Sequence, residues 1–123
     1  MTTNAYKPLV SGSNNPTGAL TNAAATYYTV PSSPDNTITH IRGLIFCNTS
    51  TSSRTIRVHN IASGGSAAAS NAIIYDATIA ANTTEVFCFG EGVWVMTAGM
   101  FLQALASASG DVTMTICGQE VAP

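Results

Sequence analysis

The chain has 123 residues, four basic and six acidic side chains, and a formal net charge of −2. One domain of this length buries enough surface for a single core without metals or disulfides to help. Charged residues are 8% of the chain, against about 25% in an average soluble domain; Lys7, Arg42, Arg54 and Arg57 are too few to neutralise a run of phosphates, and no apolar run is long enough to span a bilayer, so neither nucleic acid nor membrane is expected as a partner.

Residues 1–25 are rich in Thr, Asn, Ser, Gly and Pro, with sparse apolar residues and no period. They read as an N-terminal arm, either a tail or a segment that orders against a neighbouring subunit. Tyr6, Pro8 and Leu9 are its few anchors. MTTNAYKPLV lacks the basic-then-apolar order of a secretory signal, so the chain is expected to stay where it is made unless it is carried out inside a larger assembly.

Residues 26–123 form the domain proper, and their period is two. TYYTV (26–30) predicts a strand, and PSSPDN turns the chain. ITHIRGLIFCN (38–48) predicts a long strand whose Leu44–Cys47 run is apolar on both faces, as in a central buried strand. RTIRVHNI (54–61) alternates, with Ile56 and Val58 on one side and Arg57 and His59 on the other. ASGGSAAASN (62–71) reads as a loop. AIIYDATIA (72–80) reads as a strand, or as a short helical turn leading into one. TEVFCF (84–89), VWVM (93–96), MFLQALASA (100–108) and DVTMTICG (111–118) complete the set. Ser109-Gly110 suits a tight hairpin between the last two. In the final strand Val112, Met114 and Ile116 face one side, and Thr113, Thr115 and Cys117 the other. About eight short strands with regular turns predict an all-β fold, an antiparallel β-sandwich that is immunoglobulin-like or jelly-roll-like.

Cys47, Cys88 and Cys117 are odd in number and far apart, and each lies in an apolar run. Structural thiols are expected, with zinc or a disulfide as the lesser alternatives. A hydrolytic triad would have to use His40 or His59, and no nucleophile elbow accompanies either. No calcium-loop or phosphate-loop spacing occurs. The chain is read as no enzyme, without a cofactor or a metal. Asn48-Thr-Ser and Asn82-Thr-Thr match the glycosylation pattern and indicate exposed loops. Trp94 and Tyr75 could stack on a sugar, although core or interface packing is the favoured role of Trp94. The low charge is read as surface buried against other subunits rather than as a merely neutral exterior.

The order GLIFCNTSTSSRTIRVHNI, then ASGGSAAASNAIIYDATIAANTTEVF, then VWVMTAGMFLQALASASGDVTMTICGQEV resembles small β-sandwich virion structural proteins of tailed bacteriophages. The resemblance covers roughly residues 26–121. Met100 stands where that family places an acid after the AG turn, and Gly118-Gln119-Glu120-Val121 has one residue inserted before its acid. The resemblance implies a capsid decoration (cement) protein that binds and stabilises the assembled head. Its implied partners are the major capsid protein or other virion subunits, and its implied form is a homo-oligomer, with a trimer favoured. It would be made in the host cytoplasm and end in the virion. The alternatives are a neck, tail or fibre accessory protein, or a host-glycan-binding β-sandwich module.

Overall fold

The period-two alternation is realised as strand along most of the chain. The computed structural model describes residues 5–7, 16–32 and 36–122, which form ten strands. They are β1 (Ala5–Lys7), β2 (Thr17–Ala19), β3 (Ala25–Thr29), β4 (Ile38–Asn48), β5 (Arg54–Ile61), β6 (Ala72–Ile79), β7 (Thr83–Cys88), β8 (Val95–Thr97), β9 (Phe101–Ala106) and β10 (Val112–Ala122). A 3-10 turn at Ala69–Asn71 leads into β6.

The strands make two antiparallel sheets packed face to face, a β-sandwich. One sheet runs β1-β10-β4-β7, with β2 beside β1 on the edge of β10 and β8 beside β7 on the edge of β4. The other runs β3-β9-β5-β6. The pairs β2·β10, β3·β9, β4·β7 and β5·β6 are nested in sequence, and β10·β4 and β9·β5 join them. This is one long antiparallel ribbon rolled on itself, the strand order of a jelly roll.

Alternation decides what enters the core. Leu44 and Phe46 of β4, Ile56 and Val58 of β5, Leu102 and Ala104 of β9, and Val112, Met114 and Ile116 of β10 all point between the sheets. Leu20, just after β2, is fully buried with them; its N–H donates to the Val112 carbonyl at 2.7 Å.

Several expectations are corrected. The turn at Ser109-Gly110 does not close a hairpin: β9 and β10 lie in different sheets, and the turn carries the chain between layers. Val93 and Trp94 belong to a turn, and β8 begins at Val95. The last strand does not stop at Gly118 but runs to Ala122. It continues past a bulge of β4 at Arg42, across which Cys117 pairs with Gly43 and Gly118 with Ile41. Within the stretch read as an arm, Ala5–Lys7 and Thr17–Ala19 both pair with β10 of the same chain.

Candidate interaction surface

The polar side chains with chemical potential are mostly committed to holding the sandwich. His59 is buried, and its Nδ1 faces two acceptors, the Ala68 carbonyl at 3.1 Å and Asn71 Oδ1 at 2.9 Å. Nδ1 therefore carries the proton and donates. Asn71 Nδ2 donates to the Ser66 carbonyl at 2.8 Å, so the pair pins loop 62–71 over the outside of the four-stranded sheet. The same loop covers Ile61, whose methyl a Cβ on Gly65 would touch. His40 lies in the opposite sheet, on β4. The two histidines are not brought together.

Glu120 is buried at the end of the sandwich, 4% exposed. Tyr28 Oη donates to Glu120 Oε2 at 2.6 Å and lies 2.6 Å from Thr39 Oγ1. The phenol has one proton, so Thr39 donates to Tyr28 in turn. Burial first, and the hydrogen bond to Glu120 second, push the Tyr28 phenol well above its ordinary range. Arg54 meets Asp111 at 2.9 Å and ties the start of β5 to that of β10. Arg57 holds Asp76 with two hydrogen bonds, 2.7 and 3.1 Å, and lies 4.1 Å over the Tyr75 ring. The guanidinium keeps the Asp76 carboxyl below the usual carboxylate range. Asp76 sits at a φ of 56°, beside a bulge in the β5–β6 pairing.

Trp94 is 4% exposed and packs edge-on against Phe89, with ring centroids 5.3 Å apart. Tyr75 is half exposed but belongs to the other sheet, with Arg57 on one ring face. The two aromatics do not form one platform. Tyr6 lies on β1, in register with Val121; Pro8 and Leu9 lie outside the described residues. Asn48 is not in an exposed loop: it is buried, with Nδ2 donating to the carbonyls of Ser52 and Ile79 and Oδ1 accepting from the Ser50 N–H. Met100 closes the AG turn with its sulfur, which accepts from the Thr97 N–H at 3.4 Å and from the Thr97 hydroxyl at 3.3 Å. Among the described residues no group of three or more His, Cys, Asp or Glu is placed to hold a metal ion.

The outer face of the six-stranded sheet is different in kind. Its outward residues fall into rows across the strands. Ala19, Thr113, Cys47 and Thr84 form one row, and Thr17, Thr115, Ile45 and Val86 the next. Cys117, Gly43 and Cys88 form a third. These rows hold no charged residue. Val86 is 56% exposed, and Ile45 and Cys47 are half-buried. Leu44–Cys47 was expected to be buried on both faces; only Leu44 and Phe46 are, because no second layer covers this side among the described residues. Beyond the Arg42 bulge, where Arg42 meets Glu91 at 3.6 Å, the face continues with Ile38 and Val95, both about one-third exposed. Of six exposed large apolar side chains among the described residues, Ile38, Val86 and Val95 lie on this face and Val93 in the turn beside it. Sequence reasoning missed this surface, although the apolar residues at both phases of β4 were its signal.

No family model matches the chain, and searches of curated proteins and of solved structures return no match.

Proposed function

We propose that the protein is a non-enzymatic structural subunit that acts by being covered in a larger assembly, and specifically a decoration protein that stabilises the head of a tailed bacteriophage. The observation that carries the first part is the three uncharged rows on the outer face of the six-stranded sheet. Interface centres are depleted in charge, and a bare sheet face rich in Thr, Val, Ile and Cys has the chemistry of a surface that meets another protein. The second part rests on the resemblance of residues 26–121 to phage virion sandwiches. A subunit of this kind binds only the folded shell, so it raises shell stability by mass action. The N-terminal stretch meets the domain along β10 and supplies the reach to a neighbour.

The test is sedimentation of the purified chain with phage heads that lack it. The intact chain is expected to pellet with the heads and to raise their disruption temperature. A chain without residues 1–15 is expected to bind at least about tenfold more weakly. Heads that neither bind the intact chain nor gain stability from it would refute the reading.

A further inference from the structure

We infer that the bare face of the six-stranded sheet is covered by a second copy of this chain, packed sheet against sheet about a two-fold axis. The inference rests on reading that face as a covered surface, and it names the cover. Three observations support self-pairing. The first is asymmetry between the two sheets. The outside of the four-stranded sheet is partly closed by loop 62–71 and bears the Arg57–Asp76 ion pair; the six-stranded sheet has no such cover among the described residues.

The second is area. Its central strands β4 and β10 have 11 residues each, and four rows of strand lie side by side. At about 3.3 Å per residue and about 4.8 Å per strand the whole face measures roughly 36 by 19 Å, on the order of 700 Å², of which the three uncharged rows make up about half and the Arg42–Glu91 end the rest. The total is close to the roughly 800 Å² each partner contributes to a stable interface.

The third is charge. A strongly charged partner surface would lose its hydration against Val86, Ile45 and the threonine rows with nothing to pair with. A second copy brings the same uncharged rows. The ion pair at the end of the face, Arg42 with Glu91, adds no net charge to it. Two such faces can stack at the spacing of packed sheets, about 10 Å.

All three cysteines lie on this face, which gives a native readout. In sedimentation equilibrium over a concentration series the chain is expected to form dimers. Labelling of Cys47, Cys88 and Cys117 by a maleimide is expected to slow as dimer forms. Val86→Glu, at an exposed position on an edge strand, is expected to raise the dimer dissociation constant about tenfold or more, because it sets two buried charges against an apolar face. Tyr75→Glu, on the other sheet, is expected to leave it unchanged. A monomer at every concentration overturns the inference. So does an oligomer, trimer included, that ignores Val86→Glu and leaves the thiols open. A chain that binds heads but stays monomeric sinks self-pairing alone. A dimer that ignores heads sinks the virion reading alone.

Discussion

Tyr28 shows how a single proton can join two sheets. Its phenol, from the four-stranded sheet, receives a hydrogen bond from Thr39 and gives one to Glu120, both in the six-stranded sheet. Removing the hydroxyl with Tyr28→Phe deprives both partners and is expected to cost about 1–3 kcal/mol, read from urea denaturation midpoints. The sign of the pH dependence follows from the raised phenol. The folded state holds the proton more tightly than the unfolded chain, so this stability is intact below about pH 10 and is lost as pH rises beyond it. Ultraviolet titration is therefore expected to leave Tyr28 un-ionised until the protein unfolds in alkali. The thiols can be ranked as well. Burial pushes the Cys117 thiol up, whereas Cys88 is exposed, so in dilute monomer a maleimide is expected to modify Cys88 first and Cys117 later, by peptide mass mapping.

At the scale of the element, β10 and its bulged neighbour β4 set the geometry of the sheet. Gly118 faces inward opposite the bulge, and a Cβ there would run into the His40 carbonyl oxygen. Gly118→Ala is expected to destabilise by about 2 kcal/mol or more, because the obstacle is backbone that cannot swing away. Gly110 offers the contrast. It has open space but a φ of 84°, so Gly110→Ala is expected to cost only about 1–2 kcal/mol, again by denaturation midpoint. β4 and β5 end where the alternation and the polar clusters place them, at Ile38–Asn48 and Arg54–Ile61, and Val112, Met114 and Ile116 face the core as period two requires. Glu120 was missed because Gly118 reads as a strand end. Counted on in twos from Ile116, it falls inside. The sheet of each strand was not legible, since β9 and β10 are adjacent in sequence yet separated by a layer. Pairing of that kind is decided by contacts far apart in the chain. The candidate face was half legible: Ile45 and Cys47 signal a second apolar side, but the absence of a layer over it among the described residues is a property of the whole topology.

For the whole molecule, scarcity of charge and the rolled topology work together. With ten charged side chains in 123 residues, little repulsion opposes close packing of copies. Association driven by the uncharged rows is therefore expected to be insensitive to salt, and dissociation constants measured at low and high sodium chloride should agree within about twofold. A steep loss of association with added salt would place the contact elsewhere, among the few ion pairs. The nesting of β2 with β10 and of β3 with β9 has a further effect, on synthesis. β10 follows every other described strand, yet β1, β2 and β4 all hydrogen-bond to it. While the chain is still growing on a ribosome, the six-stranded sheet lacks its central member, and Leu20 and Phe46 lack the Val112, Met114 and Ile116 side of their core. The ribbon can only roll up once β10 has left the exit tunnel. Folding then waits for β10 and proceeds on the milliseconds-to-seconds scale of non-local β pairing, with the apolar strands unpacked until it arrives.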